Sequence, residues 1–303
     1  MSLRAVRLFI KLSRPFFLLG AALVYALGVG IANYLGVTVD WGLYLLGQAW
    51  VTTMQLATHY FNEYFDSPAD AANTNRTLFS GGSGALGEDG LPREVALWAG
   101  IAALTGAASI TVMLMRAVGP NPALVLVMTL IFLGALFYSI PPVRLVESGY
   151  GELTTSFVVA CLVPAFAFIL QTGELHRLVA MSTFPLLALH LAMMLAFELP
   201  DFANDLKYEK LTLMVRLGWE RGMVLHNFMI LTAYLLIGLA MLFGFPLPIA
   251  LPALLSLPLG LFGIWYMTRI AAGAKPNWNL LGWLAVLVFG VTAYLITFSF
   301  WTR

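Results

Sequence analysis

Two clusters of carboxylates carry the most specific chemistry in this sequence. Asn62, Asp66 and Asp70 stand four residues apart, and Asp201 and Asp205 repeat that spacing further along the chain. On a continuous helix this spacing places the side chains on one face, with ~6 Å between neighbours. Crowded carboxylates repel one another unless cations neutralise them, and all-oxygen clusters favour hard ions such as Mg²⁺. The spacing therefore predicts a Mg²⁺ site formed by these five residues.

The same residues also fit a solvated acidic rim or salt bridges to nearby lysines. Duplication favours the metal site: the interval from Asp66 to Asp201 is 135 residues, as is the interval between the second carboxylates of the two clusters. We interpret segments 62–70 and 198–205 as a pseudo-repeat within one domain covering residues 1–303.

Basic side chains follow both clusters at a distance that suits a bound diphosphate. Arg76 lies six residues beyond Asp70, and Lys210 lies five residues beyond Asp205. The glycine-rich segment 80–84 offers flexible backbone and hydroxyl groups close to Arg76. No strand precedes this segment and no Lys-Ser/Thr pair follows it, so it is neither a P-loop nor a dinucleotide fingerprint.

A third polar patch surrounds two consecutive prolines. Pro141 and Pro142 are expected to end the fourth long helix, between Tyr138 and Arg144. Tyr138 can donate a hydrogen bond and Arg144 carries a fixed positive charge. Both residue types are also common anchors at membrane interfaces, so substrate contact and anchoring remain equally open.

Composition places the clusters in a polytopic membrane protein. Of 303 residues, 60% are hydrophobic and only 10% are charged, and the mean hydropathy is +0.87. A net charge of +1 provides no basic field for nucleic acid. The single cysteine, Cys161, lies in an apolar run and excludes disulfide and Cys-based metal sites.

Nine stretches are long enough to cross a bilayer: 13–36, 41–66, 94–116, 121–140, 153–171, 178–199, 221–244, 248–270 and 279–301.

The second of these stretches also contains a polar stripe. Thr52, Gln55 and His59 extend the ladder of Asn62 into the membrane, so the stripe should face a cavity. Pro68 disfavours a helical conformation in the residue before it. Asp70 therefore lies either on the same ladder or in a separate turn of the following loop.

Basic residues predict the orientation of the bundle. With a cytoplasmic N-terminus, thirteen of the sixteen Lys and Arg residues fall on the cytoplasmic side. The remaining three are Arg116, Arg177 and Arg303. Both long polar connections, roughly 67–93 and 200–220, then lie on the cytoplasmic side. The basic N-terminal segment runs into an apolar span without a cleavage pattern, which predicts a retained first helix.

The sequence resembles the UbiA superfamily of intramembrane prenyltransferases over nearly its whole length. The specific features are the N-x-x-x-D-x-x-x-D ending at Asp70 and the D-x-x-x-D ending at Asp205. The segments NEYFDSPAD, GGSGAL, YSIPPVRL with GYGEL, and KLTLMVRLG are most similar to the branch that prenylates 1,4-dihydroxy-2-naphthoate for menaquinone. The 4-hydroxybenzoate branch typically carries Tyr-x-x-x-Lys where Tyr138 is here followed by Pro142.

This resemblance implies an all-α bundle of nine transmembrane helices around a central cavity, in the inner (cytoplasmic) membrane with its active site facing the cytoplasm. Two Mg²⁺ ions would bridge the aspartate clusters and the diphosphate of an allylic polyprenyl donor. Arg76, Lys207, Lys210 and Arg144 would neutralise the leaving diphosphate, and Tyr138 would contact the substrate. The aromatic acceptor would receive the prenyl group, and the isoprenoid tail would leave sideways into the membrane lipids.

Other functions remain open at this stage. Within the same family, the acceptor could be homogentisate, a chlorophyllide-like macrocycle or a glycerol phosphate ether-lipid precursor. A cation-coupled secondary transporter would place its acidic residues near the helix midpoints and would open to both faces. A phosphatidyltransferase would carry D-G-x-x-A-R, which is missing from the sequence. The parts played by His59 and Glu198 also stay undecided.

Overall fold

A computed structural model describes residues 2–303 of the chain. The described residues form helices and connecting loops without a strand, and one isolated bridge joins Leu86 and Leu91. A π-helical turn at Val158–Leu162 joins α6 to α7. The α-helices in this range are α1 (Leu3–Leu12), α2 (Pro15–Tyr34), α3 (Trp41–Ala71), α4 (Arg93–Val118), α5 (Pro122–Ser139), α6 (Gly151–Phe157), α7 (Val163–Thr172), α8 (Arg177–Glu198), α9 (Phe202–Lys207), α10 (Leu213–Leu217), α11 (Trp219–Leu242), α12 (Leu247–Leu254), α13 (Leu257–Ala271) and α14 (Trp278–Trp301).

Eight helical segments in residues 2–303 are long and apolar enough to cross a membrane. They are α2, α4, α5, α8, α11, α14 and the composite segments Gly151–Thr172 and Leu247–Ala271. The stretch predicted at 41–66 forms α3, which has 31 residues but carries the polar stripe in its middle. All nine predicted stretches are therefore helical, and eight of them have the length and composition of membrane spans.

The helix α3 continues through Pro68 to Ala71, so Asp70 stays on the ladder and does not begin a separate turn. Proline has no N–H to give to the carbonyl of Tyr64, four residues earlier. Other donors satisfy that carbonyl: Arg93 Nε donates to it at 2.6 Å and Ser67 Oγ at 3.2 Å. The expected cost of the proline is thus offset by one local donor, Ser67, and by one donor from a distant part of the sequence, Arg93.

The N-terminal segment forms a helix of its own, α1, that is separate from the first apolar span. The sequence predicts instead that this segment runs directly into that span. The chain leaves α1 at Ser13 and turns at Arg14, whose φ of 49° lies in the left-handed region. Pro15 then opens α2 at a position where its missing N–H costs nothing. Because of this break, α1 is free to follow a direction different from that of the first span.

Helices α2, α7, α8 and α14 pack together at the centre of the bundle. Gly28 allows close approach of α2 to α7, since a Cβ built there would lie 2.8 Å from the Cβ of Ala167. Cys161 is buried and unpaired, as expected of a small interior residue. The histidines of the sixth and seventh spans are interior groups with hydrogen-bond partners: His190 Nδ1 lies 2.9 Å from Ser156 Oγ, and His226 bonds to Asn227.

The two longest connections meet at one end of the bundle. Asn73 Nδ2 donates to Asp201 Oδ1 at 2.8 Å, and Asn204 Nδ2 donates to the carbonyl of Ala69 at 3.2 Å. Both carboxylate clusters therefore lie at the same end of the bundle, which agrees with the predicted placement of the two long connections on one side. The two carboxylate clusters differ in local structure. The helix α3 is continuous through the first cluster, whereas α8 ends at Glu198 and a turn precedes α9 in the second.

Candidate active site

A cavity of about 470 Å³ extends from the carboxylate clusters into the apolar interior of the bundle. Its walls come from α2, α3, α5, α6, α8 and α14, and the two long connections cover its polar end. All five predicted metal ligands and Lys210 line it: Asn62, Asp66, Asp70, Asp201, Asp205 and Lys210. The fold thus gathers residues from distant parts of the chain at one end of a largely apolar chamber.

Lys210, five residues beyond the second cluster, forms an ion pair with the first cluster. Its ammonium lies 2.8 Å from Asp66 Oδ2, which also accepts a hydrogen bond from Asn62 Nδ2 at 2.9 Å. The other carboxylate oxygen of Asp66, Oδ1, is buried without a hydrogen-bond partner among residues 2–303. Asp66 lines the cavity, and an unpartnered carboxylate oxygen is suited to a cation or a donor group of a ligand.

The second cluster carries more negative charge than its single lysine neutralises. Burial, together with the carboxylates of Asp201 and Asp66, raises the pKa of Asp205 to about 7 against the opposing effect of Lys210. Burial also raises the pKa of Asp201, which the hydrogen bond from Asn73 partly counteracts. For Lys210, the charges of Asp66 and Asp205 outweigh desolvation and hold the pKa well above its ordinary value. The site therefore favours additional positive charge.

The glycine-rich segment 80–84 is held in place against the first cluster. Ser83 donates its N–H to Glu63 Oε1 at 2.7 Å and its hydroxyl to Oε2 at 2.6 Å. Glu63 also forms an ion pair with Arg14. Gly82 has a φ of 73° and lies so close to the Asp70 carboxylate that a Cβ there would collide with it. The segment is thus an ordered part of the site wall, with a backbone conformation that suits glycine.

Arg76 lies outside the cavity lining. Its side chain is exposed, with Nε donating to the carbonyl of Gly81 at 2.7 Å and Nη2 to the carbonyl of Asp70 at 2.6 Å. The structure therefore places this arginine beneath the glycine-rich segment, where it ties the segment to the end of α3. Direct contact with a diphosphate would require the guanidinium to leave these carbonyls.

The third polar patch is divided by the fold. Tyr138 lines the cavity near the end of α5, which ends at Ser139 before the two prolines as expected. Arg144 forms an ion pair with Glu147 outside the cavity. Lys207 is exposed, with its ammonium 5.6 Å from the ring centroid of Tyr208. Of the predicted substrate contacts, the structure brings Tyr138 and Lys210 to the cavity and leaves the other three cationic side chains outside it.

The sequence did not identify the ion pair between Arg14 and Glu63, whose members are 49 residues apart. Both are largely buried, and Arg14 lines the cavity. Glu63 carried a usable signal, because a carboxylate within a membrane-spanning stretch marks a buried or functional position. Asn73, which holds Asp201, carried no such signal in a polar loop.

Two carboxyl groups position the segment that carries Lys210. Glu198 Oε2 accepts the N–H of Met214 at 3.3 Å, and Glu152 Oε1 accepts the N–H of Leu213 at 3.1 Å. Glu198 lines the cavity, whereas Glu152 is almost fully buried behind it. His59 also lines the cavity, and its Nδ1 lies 3.2 Å from the carbonyl of Ser13.

The apolar part of the cavity is rich in aromatic rings. Phe79 and Phe197 stack with centroids 5.3 Å apart, and Phe17 meets the ring of Phe79 edge-on at 6.2 Å. Towards the lipid-facing surface, the exposed side chains of Phe16 and Trp283 belong to α2 and α14. The arrangement suits a hydrophobic chain whose charged end lies at the carboxylates.

Among residues 2–303, no group of three or more His, Cys, Asp or Glu side chains stands ready to hold a metal ion alone. This fits Mg²⁺, which is usually held by one or two carboxylates together with water and substrate phosphates. The free oxygen of Asp66 and the excess of carboxylates make the residues compatible with that ion.

Comparisons with known proteins agree with the membrane fold. A UbiA homologue from Archaeoglobus fulgidus, bound to GPP and Mg²⁺, aligns with a TM-score of 0.60 at 15% identity over 95% of this chain and 99% of that one. A digeranylgeranylglyceryl phosphate synthase structure aligns with a TM-score of 0.62 at 14% identity over 98% of both chains. The apo UbiA homologue from Aeropyrum pernix K1 gives 0.56 at 15% identity over 91% and 94%. At these identities the likeness establishes the fold alone.

The sequence itself establishes the family. No curated protein matches it significantly. The UbiA prenyltransferase family matches residues 21–285, which include both carboxylate clusters, the glycine-rich segment and Lys210. The chain therefore belongs to the UbiA prenyltransferase family and is a transferase of the intramembrane type.

Proposed function

We propose that this protein transfers a polyprenyl group from an allylic polyprenyl diphosphate to an aromatic acceptor, with 1,4-dihydroxy-2-naphthoate as that acceptor, in menaquinone biosynthesis. The observation that carries the proposal is the polarity of one cavity. Four aspartates and Lys210 lie at one end, and a chamber lined by aromatic and aliphatic side chains extends from them. An amphiphile with a diphosphate head and an isoprenoid tail matches both ends.

The residues that would hold Mg²⁺ are Asn62, Asp66, Asp70, Asp201 and Asp205, with two ions shared between the clusters and the donor. When bound, Mg²⁺ supplies Lewis-acid stabilisation of the charge that develops on the leaving diphosphate. The asparagine amide donates its N–H groups to Asp66 and Ser139, which leaves the carbonyl oxygen for a cation. The homologue from Archaeoglobus fulgidus bound to GPP and Mg²⁺ supports this reading for the shared fold.

Lys210 is the protein cation that would stabilise the leaving group. In the reaction the C–O bond of the allylic diphosphate breaks and its electron pair leaves with the diphosphate oxygen. The ammonium already lies among the carboxylates at the cavity end, so it can donate a hydrogen bond there without being reorganised. Tyr138, on the adjacent wall, would donate to the substrate from its phenol. The charges of Arg76, Arg144 and Lys207 would add to the positive electrostatic potential at the cavity from outside it.

The aromatic wall would protect the electron-deficient allyl group after the bond breaks. Phe17, Phe79 and Phe197 present rings to the chamber, and such π-faces attract a nearby cation. They also keep water away from the reactive carbon. The ring carbon of the acceptor then supplies the electron pair of the new C–C bond. With naphthoate, the carbon that carries the carboxylate attacks, and loss of CO₂ returns electrons to the ring.

The acceptor assignment rests on sequence segments around Tyr138, and the presence of this residue in the cavity supports it. The isoprenoid tail would leave between α2 and α14 into the membrane lipids. We further propose nine membrane crossings with a cytoplasmic N-terminus, which places the site at the cytoplasmic face of the inner membrane. The length of α3 and the concentration of basic residues at the site end support that topology.

Orientation is tested with topology reporters in cells. A reporter fused after Arg303 should report an extracytoplasmic position, whereas one inserted at Gly84 should report the cytoplasm. The two positions lie on opposite sides only if the number of crossings between them is odd. Two reporters on the same side would contradict nine crossings.

Acceptor choice is tested by product mass. Purified protein with geranylgeranyl diphosphate, Mg²⁺ and 1,4-dihydroxy-2-naphthoate should yield a prenylated naphthoquinol that has lost the carboxyl group. Homogentisate and glycerol phosphate should give at most trace products in parallel reactions. Efficient turnover of either of these, with none of the naphthoate, would overturn the acceptor while leaving prenyl transfer intact.

The shared metal–diphosphate unit is tested by a double-mutant cycle. Asp66→Asn and Asp201→Asn should each lower kcat by roughly 10²–10³-fold, in the range known for loss of one preorganised charge-stabilising group. Because both residues act on one unit, the double variant should be far less impaired than the product of the single effects. Glu220→Gln, an exposed acidic position outside the cavity, is the matched control. Multiplicative losses would indicate two independent roles.

The role of Lys210 is tested against a neighbouring lysine. Lys210→Met keeps most of the side-chain volume but removes the cation, so we expect kcat to fall by roughly 10²-fold or more. Lys207→Met, at an exposed position three residues earlier, removes a charge that acts only from outside the cavity and is screened by solvent, so it should lower kcat far less than Lys210→Met. Thermal unfolding in detergent separates catalysis from stability, since Lys210→Met also removes the ion-pair partner of Asp66. Equal rates in the two lysine variants would remove Lys210 from the mechanism.

A further inference from the structure

The N-terminal helix α1 has three distinct faces. At 3.6 residues per turn its side chains fall into three groups. The apolar residues Ala5, Leu8, Phe9 and Leu12 pack against the protein in a small cluster with Tyr60, Ala85, Leu91 and Ala96. A second apolar row points away from the protein: Leu3, Val6 and Ile10 are 79%, 39% and 55% exposed. The cationic row, between these two faces, consists of Arg4, Arg7 and Lys11.

The exposed apolar row lies where the polar end of the bundle meets its apolar sides. The helix packs beside the last part of α3 and the first part of α4, and α2 begins three residues after α1 ends. Helices with an apolar face beside a cationic face bind in the plane of the membrane interface. Contact of Leu3, Val6 and Ile10 with water would be unfavourable, whereas lipid acyl chains at the membrane interface would cover these three side chains.

The cationic row identifies the chemistry of the lipid. The helix contains no acidic residue. Arg4 Nη2 and Lys11 Nζ donate to the carbonyls of Asp89 and Gly84, at 2.5 and 3.4 Å, so their charges are not neutralised. Arg7 is exposed and makes no hydrogen bond or ion pair to residues 2–303. In the described part of the chain, the acidic side chains of the adjoining loop, Glu88 and Asp89, are exposed to solvent and form no ion pair with these three cations.

We propose that α1 is a docking surface for anionic phospholipid. Leu3, Val6 and Ile10 enter the acyl boundary of the leaflet at the site end of the bundle, and Arg4, Arg7 and Lys11 bind phosphate headgroups. Clustered cations beside a membrane are attracted to anionic lipid over the range of the surface potential. This inference goes beyond prenyl transfer and does not depend on the identity of the substrates.

Docking of α1 would also restrain the wall of the cavity. Lys11 contacts Gly84, and the turn after α1 carries Arg14, which pairs with Glu63. Glu63 in turn holds Ser83 of the glycine-rich segment. A leaflet that fixes α1 therefore fixes both attachments of the segment that lies against the first carboxylate cluster. Anionic lipid is expected to order this segment.

Insertion is tested by fluorescence on the full chain in vesicles, in a Cys161→Ala background. Bimane attached to Ile10→Cys should be quenched by phospholipids with brominated acyl chains and protected from aqueous iodide. Bimane attached to Glu88→Cys, an exposed position in the adjoining loop, should show the opposite pattern. If the Ile10 position behaves like the Glu88 position, the apolar row faces water or awaits another protein, and the proposal is overturned.

Dependence on anionic lipid is tested by amide hydrogen exchange of segment 80–84. Exchange should be slower in mixed phosphatidylcholine–phosphatidylglycerol vesicles than in phosphatidylcholine alone. Arg7→Gln should reduce that protection by about fivefold, the factor for one cation near an anionic surface. Arg116→Gln, at the opposite end of α4, should retain it. Equal exchange in both lipids, or equal effects of the two variants, would contradict anionic docking. Neither readout requires turnover, so failure of prenyl transfer would be seen separately.

Discussion

The electrostatic cost of holding four carboxylates at the mouth of an apolar chamber governs the arrangement of this protein. One ammonium, that of Lys210, reaches Asp66 across the gap between the two clusters at 2.8 Å. An ion pair in such a setting is stable only with good geometry and further hydrogen bonds. Asn62 donates one to Asp66, and Asn73 donates to Asp201 in the second cluster. Burial, together with the neighbouring carboxylates, raises the pKa of Asp205 to about 7 although Lys210 opposes the shift.

Much of the surrounding structure serves to maintain this arrangement. Glu152 and Glu198 fix the backbone just after Lys210, and so place the lysine over α3. On the other side, Glu63 binds both Arg14 and Ser83, which keeps the glycine-rich segment beside Asp70. The same set of contacts joins the N-terminal helix, α3 and both long connections. A ligand that supplies cations and a diphosphate would therefore be recognised by groups from most of the chain.

The sequence predicted the elements and the clusters well because both depend on local patterns. Long apolar runs located the nine predicted helical stretches, and the four-residue spacing of Asp66 and Asp70 placed these two residues on one face of α3. Pairings over long separations carried no such pattern, and this is why Arg14 with Glu63 and Asn73 with Asp201 were missed. Arg76 was assigned from its distance along the chain, but its guanidinium is engaged by backbone carbonyls that only the folded loop brings together.

Binding of a paramagnetic ion tests the central claim, which is that the two clusters form one metal site completed by a diphosphate. Electron paramagnetic resonance of Mn²⁺ added to the purified protein should show mostly free ion. Addition of geranyl diphosphate should convert it to a bound form with hyperfine coupling to phosphorus, because ions of this kind are usually held by a few carboxylates together with substrate phosphates. Mn²⁺ that stays free while geranyl diphosphate binds equally well in EDTA would contradict the account.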